Sequence, residues 1–319
     1  MVMMLMRLNR GRSLLLHPRV IGRCAISCIF VVLTQFALLL LPLFLSSLSL
    51  FVQLLISGMV LLFVAGCGKC FRRLLQVHAS APAFVFFNIL FIWGVYVALI
   101  RQAVSPLKDV LFNGELSMIV MGFFSIVSSD PGLAEHGSAS LNELMESSIS
   151  DVGTHSESSF SVRRVRYCKS CKAFVSGFDH HCPAFGNCIG QKNHVLFMVL
   201  LVGFITVEAS YMTSAYHYSQ RSQIIVADEW EINLKRNLAM STMFFCLLQF
   251  LWQMVFLAWH LYCVCFNIKT DEWINWRRYP EFQRIGQSEA GQSLHEMKFK
   301  NPYDKGIFCN LKEFLLGQE

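Results

Sequence analysis

The chain has 319 residues, 54% of them hydrophobic and only 15% charged, with a mean hydropathy of +0.47. That balance excludes an ordinary soluble globular domain. The formal net charge of +6 calls for no nucleic-acid partner, because the basic residues sit beside apolar blocks, where anionic membrane lipid is the nearer counter-charge.

A run of about 20 apolar residues spans the roughly 30 Å hydrocarbon core of a bilayer, and the chain has six such blocks. Cys24 to Ser46 and Leu50 to Gly66 are separated only by a short polar break at Ser46, Ser47 and Ser49 and read as a helical hairpin. Ala83 to Ile100 is the third. Val110 to Val127 is the fourth; it carries Asn113 and Glu115, which leaves an amphipathic interfacial helix as its alternative. Val195 to Tyr216 and Leu238 to Asn267 complete the set. The expected fold is an all-α polytopic membrane protein with six transmembrane helices and a small cysteine-rich insert between the fourth and fifth, whose cytosolic placement and zinc binding follow from the charges and motifs below.

Lys and Arg are retained on the cytosolic side of a membrane. Arg7, Arg10, Arg12, Arg19 and Arg23 precede the first block; Lys69, Arg72 and Arg73 follow the second. Arg163, Arg164, Arg166, Lys169 and Lys172 follow the fourth, and Lys269, Arg277 and Arg278 the sixth. These four regions share one face, so both termini are expected in the cytosol. The N-terminus does not read as a cleaved signal peptide, since its apolar block is of spanning length and a second block follows at once.

The expected organisation is residues 1–129, four transmembrane helices; 130–194, a cytosolic linker with the cysteine-rich insert; 195–268, two transmembrane helices; and 269–319, a cytosolic tail. The serine-rich stretch from Asp130 to Ser161 has few aromatics and reads as a linker.

The insert ends in VRYCKSCKAFVSGFDHHCPAFGNCIGQKNH, residues 165–194. Its surroundings are reducing, so a disulfide framework is not expected among the twelve cysteines. Cys168 and Cys171 form a CxxC pair able to bind one tetrahedral zinc across a tight turn. The remaining ligands come from His180, His181, Cys182 and Cys188. Consecutive residues of an extended stretch point to opposite sides, so His180 and His181 do not serve one ion together. Spacing leaves the other combinations open. A closed site needs four ligands and the stretch offers more. The surplus admits chemistry: a thiol reacts as thiolate, and His180, oriented by Asp179, could act as base for a cysteine.

Asp179-His180-His181-Cys182, with Pro183, Asn187, Cys188 and Gly190, closely resembles the core of the DHHC-type protein S-acyltransferases, the palmitoyltransferases. Other family motifs follow in order: Asp130-Pro131-Gly132; Thr270 and Glu272 of a Thr-Thr-x-Glu motif whose first position is Lys269; and Asn301-Pro302-Tyr303 with Gly306 and Asn310. The resemblance covers residues from about 110 to 315 and implies that Cys168, Cys171, His181 and Cys188 hold one zinc. It further implies that Cys182 is the nucleophile, His180 its base and Asp179 the orienting carboxylate. Acyl-CoA, palmitoyl-CoA above all, would be the donor. The partners implied are protein substrates with membrane-proximal cysteines and membrane lipid, with Golgi as the default compartment and endoplasmic reticulum, plasma and vacuolar membranes as others. The basic run Arg163, Arg164, Arg166, Lys169 and Lys172 is expected to meet CoA phosphates or lipid.

Two departures stand out. The family's first zinc site is missing, its positions falling at Thr154, Glu157, Tyr167 and Phe174; Cys67 and Cys70 form a CxxC pair that reads as idle or acylated juxtamembrane thiols rather than a replacement. The Trp expected after Cys-Pro is Ala184, with Phe185 beside it. The alternatives to an enzyme are a catalytically inactive zinc-containing membrane adaptor of the same family, and a transporter with an incidental zinc knuckle. A transporter would place ionisable groups in mid-membrane, where Glu115 is the one expected buried candidate and Glu208 lies towards the lumenal half.

Overall fold

The computed structural model describes residues 18–75, 79–134, 164–224, 230–285 and 297–317. The N-terminal arginines Arg7, Arg10 and Arg12, most of the serine-rich stretch, Thr154, Glu157 and Arg163 lie outside the described residues.

The six apolar blocks are six helices. They are α1 (Pro18–Phe44), α2 (Leu50–Leu75), α3 (Ala81–Val95, continued by a π turn Tyr96–Ile100 and a 3-10 turn Arg101–Ala103), α4 (Pro106–Ser128), α5 (His194–Ile224) and α6 (Trp230–Cys265). Each contains a run long and apolar enough to cross a membrane. The fourth block is one of them by length and composition: α4 starts at Pro106, whose fixed φ suits a first helical position. Its Asn113 is satisfied locally, donating to Asp109 Oδ1 at 2.9 Å and accepting from Trp93 Nε1 at 3.1 Å.

The described residues form two compact units. The first holds α1 to α4, residues 183–185, and α5 and α6 from Leu200 to Phe256. Polar groups join its helices where lipid offers no hydrophobic drive for association. Ser27 Oγ and Ser80 exchange two hydrogen bonds of 2.9 Å, and Gln35 Nε2 donates to Asn88 Oδ1 at 3.3 Å. Helices α4 and α5 pack closely at Gly122, where a Cβ would stand 2.4 Å from Leu200 Cδ2. Glu208 of α5 is buried and accepts a 2.8 Å hydrogen bond from Gln253 of α6, while Glu115 is only half-buried, so the expected ranking of these two acids is reversed.

The second unit holds residues 129–182, 186–199 and 257–319. Strands β1 (Val165–Cys168) and β2 (Ala173–Ser176) form one antiparallel hairpin, and β3 (His180–Cys182) with β4 (Asn187–Ile189) another. The short helix α7 (Thr270–Asn275), the hairpin β5 (Gln283–Ile285) with β6 (Met297–Phe299), and α8 (Ile307–Leu316) follow.

The tail motifs close the C-terminal end of α6, whose last carbonyls lack intrahelical partners. Asn267 adopts a left-handed φ of 45°, and Ile268 N–H returns to Cys263 O at 2.9 Å in a Schellman arrangement. Asn310 Nδ2 donates to Cys265 O at 2.8 Å and Asn301 Nδ2 to Phe266 O at 2.6 Å. Arg164 is buried against this corner: it donates to both carboxylate oxygens of Glu272 at 3.1 Å, to Asn267 Oδ1 at 2.7 Å, and lies 3.8 Å over the Tyr303 ring. Arg166 pairs with Glu281 at 2.7 Å and stacks on Tyr279. Two of the arginines expected to face phosphates are therefore committed to acidic partners inside the protein. Removing one member of a buried pair such as Arg164–Glu272 typically costs about 3–5 kcal/mol.

Asp130 Oδ1 accepts the N–H groups of Gly132 and Leu133 at 2.9 Å, and Gly132 O accepts Ser176 N–H at 2.8 Å. This turn lies against Gly190, where a Cβ would sit 2.4 Å from Pro131 O and 2.7 Å from Val175 Cγ1. Gly190→Ala should therefore destabilise the protein by about 1–3 kcal/mol. Gly114→Ala, with nothing within 4 Å, should not. Thermal unfolding in detergent compares the two, and equal midpoints would contradict this packing.

Candidate active site and metal centre

The β3–β4 hairpin sorts the histidines. His181 stands opposite Cys188, while His180 and Cys182 oppose Ile189 and Asn187. Since strand side chains alternate, His181 projects with Cys188, and His180 with Cys182 to the other side.

On the first side, His181 Nδ1 lies 3.8 Å from Cys168 Sγ, 3.5 Å from Cys171 Sγ and 3.7 Å from Cys188 Sγ, and Cys171 and Cys188 sulfurs are 3.3 Å apart. Tetrahedral zinc with its usual Zn–S and Zn–N bonds holds its donors about 3.5–3.8 Å apart. The four fit one such ion, and three thiolates with one imidazole are a donor set that zinc favours. Burial and the neighbouring His180 hold the His181 pKa below its ordinary value, which keeps the ring neutral as a ligand requires.

On the second side, Asp179 is fully buried and accepts His180 Nδ1–H on Oδ2 at 2.6 Å. Its Oδ1 accepts Thr270 N–H at 2.8 Å, and its main-chain oxygen accepts Asp271 N–H at 3.0 Å. The first two N–H groups of α7 are thus satisfied by one residue. Burial alone would raise the Asp179 pKa, but the hydrogen bond from His180 and the imidazoles of His194, His180 and His260 hold it well below the carboxylate range. His180 shows the complement: burial opposes its charge, yet the hydrogen bond to Asp179 and the Cys182 thiol push it up to about 9. Its Nε2 is buried and has no hydrogen-bond partner among the described residues.

Asp179, His180 and His260 also place donor atoms within 4.8 Å of one another. A separation of 2.6 Å between His180 Nδ1 and Asp179 Oδ2 is a charge-assisted hydrogen bond. Two donors on one tetrahedral ion stand about 3.3 Å apart. The spacing in this cluster is that of a hydrogen bond, whereas the Cys168, Cys171, His181 and Cys188 donors are spaced as a tetrahedral ion would need.

At the positions of the missing first zinc site, Tyr167 and Phe174 are cross-strand partners of β1 and β2, with ring centroids 5.1 Å apart. These are two of the four positions at which ligands are expected to be missing; the other two, Thr154 and Glu157, lie outside the described residues. Cys67 is half-buried in α2, and the side chain of Cys70 lies outside the described residues. Ala184 and Phe185 form the turn after Cys182; Phe185 is buried and packs on Phe123 in the first unit, centroids 5.9 Å apart.

Sequence reasoning missed His260, which the structure places fully buried beside Asp179. The signal was available: from Asn237 to Ile268 it is the single Asp, Glu, Lys, Arg or His.

Metal analysis of purified protein checks the centre. Cys168→Ser and His181→Ala should bring zinc well below about one per chain, while Cys182→Ser leaves it unchanged. Two zincs per wild-type chain would contradict the assignment.

Residues 156–277 match the family of DHHC palmitoyltransferases. Among curated proteins, the chain is 27% identical over 208 residues to mouse palmitoyltransferase ZDHHC17, covering 58% of this chain and 30% of that protein. It is 22% identical over 238 residues to Schizosaccharomyces pombe palmitoyltransferase akr1, covering 66% and 37%. To the Arabidopsis thaliana probable protein S-acyltransferase 1 it is 28% identical over 156 residues, 49% and 40%. The chain spans less than half the length of these relatives. Residues 156–277, which carry the four-donor cluster and the Asp179–His180 pair beside Cys182, are thus the part of the chain that matches the DHHC palmitoyltransferases.

Proposed function

We propose that the protein is a protein S-acyltransferase that moves a long-chain acyl group, palmitoyl above all, from acyl-CoA through Cys182 to cysteines of protein substrates at the cytosolic membrane face. The observation that carries this reading is the buried Asp179–His180 hydrogen bond, at 2.6 Å, on the side of the β3–β4 hairpin to which Cys182 also projects.

His180 Nε2 takes the proton of Cys182, and Asp179 fixes the ring and supports the imidazolium that results. The Cys182 thiolate attacks the thioester carbon, a new carbon–sulfur bond forms, the bond to CoA sulfur breaks, and CoA leaves as the thiol with the proton from His180. In the second half His180 takes the proton of the substrate cysteine, whose thiolate attacks the acyl-enzyme. Cys182 is released and recovers the proton. One thioester replaces another, so the residues lower barriers rather than drive the reaction. A zinc ion held by Cys168, Cys171, His181 and Cys188 would supply structural closure of the two hairpins. Phe185 supplies an aromatic where Ala184 lacks one. The acyl chain adds about 0.8 kcal/mol of burial per CH₂, and the distribution of Lys and Arg supports a cytosolic site in an endomembrane.

The second reading, a non-catalytic member of the family, is motivated by Ala184 and by the Tyr167–Phe174 pair at the missing zinc site. In-gel labelling with an alkyne-bearing palmitoyl-CoA separates the two. Wild type should take up a label that hydroxylamine removes, and Cys182→Ala should lose it entirely; zinc-loaded wild type without label would favour the non-catalytic reading.

A further inference from the structure

An imidazole buried in an apolar helix is costly and needs a purpose. His260 lies in the last turns of α6 at 0% exposure, with its Nδ1 3.9 Å from Asp179 Oδ2. Its ring is 5.5 Å from the His180 ring, and it meets Phe197 edge-on at 4.9 Å. Phe197 in turn meets the edge of His180 at 5.4 Å. Asp179 therefore has Thr270 N–H on one oxygen, and His180 and His260 about the other. Thr270 is itself held from the same helix, since Trp259 Nε1 donates to its Oγ1 at 3.4 Å.

The separation of 3.9 Å is too long for a direct hydrogen bond. What the geometry offers is control of the carboxylate. A carboxylate free to turn about its Cβ–Cγ bond would break the 2.6 Å contact and let the His180 ring rotate. Thr270 N–H on Oδ1, His180 on Oδ2 and His260 at 3.9 Å from Oδ2 stand around it, and Phe197 packs on both imidazoles.

We propose that His260 is a positioning residue of the acyl-transfer site: it holds the Asp179 carboxylate in the orientation that keeps His180 directed at Cys182. This role rests on the acyl-transfer reading given above. It acts on the rate of thiolate formation and attack, and has no part in donor binding or metal retention.

The test is single-turnover acylation of purified, full-length protein with alkyne-bearing palmitoyl-CoA, measured against donor concentration for wild type, His260→Ala, His260→Gln and His260→Asn. His260→Ala should lower the limiting rate constant by about 10–100-fold, the usual cost of removing a group that orients a reacting residue. The half-saturating donor concentration and the zinc content should stay at wild-type values. His260→Asn, which keeps a polar group near the Nδ1 position, should recover several-fold of the loss. A wild-type rate constant in zinc-loaded His260→Ala, or no recovery in His260→Asn or His260→Gln, would overturn the role. Failure of all three variants to fold would assign His260 to packing instead. Absence of label on wild type would overturn the acyl-transfer reading and this role with it, a result distinct from labelled wild type with unaffected variants.

Discussion

The buried carboxylate of Asp179 is the constraint around which the second unit is arranged. An anion with no access to water must be hydrogen-bonded and faced by positive or polar groups, or it will take up a proton. Here its hydrogen bonds come from separate stretches of the chain, His180 of the adjoining strand and Thr270 N–H at the start of α7, with His260 from the end of α6 standing 3.9 Å away. Satisfying one side chain thereby joins the cysteine-rich hairpins to the tail. The Arg164–Glu272 pair makes a second buried junction between the same stretches, with Glu272 also accepting Lys269 N–H at 2.9 Å. Thr270 and Glu272 act in this corner through these bonds.

Strand alternation explains how four consecutive residues can hold two kinds of site. His181 turns to the thiols of Cys168, Cys171 and Cys188, while its neighbours turn towards Asp179's hydrogen-bonded side. A metal ion and an acid–base pair can then stand back to back without sharing a ligand. The 2.6 Å contact on one side is the length of a shared proton, and the 3.3–3.8 Å spacings on the other are those a tetrahedral cation would need.

The six helices were legible because membrane-spanning runs are continuous in sequence and need no partner to be recognised. The CxxC pair was legible as half of a zinc site, and alternation excluded joint ligation by His180 and His181. The choice among the remaining donors required the pairing of β3 with β4, which spacing does not encode. Long-range contacts were less accessible. Arg164 looked like one of several cations in a basic run until its burial against Glu272, over a hundred positions away, showed otherwise. His260 was missed because attention to acids in mid-membrane, Glu115 and Glu208, passed over the one imidazole in an otherwise uncharged stretch.

The central claim, that Cys182 is the acylated residue, is tested most directly by peptide mapping. Zinc-loaded protein is incubated briefly with palmitoyl-CoA, digested, and each cysteine peptide is weighed. Cys182 is buried, whereas Cys171 and Cys309 are exposed, so non-enzymatic acylation would favour the latter two. The palmitoyl adduct is expected on Cys182, with Cys168, Cys171 and Cys188 unmodified. An adduct confined to Cys309 or another exposed cysteine, with Cys182 free, would contradict it.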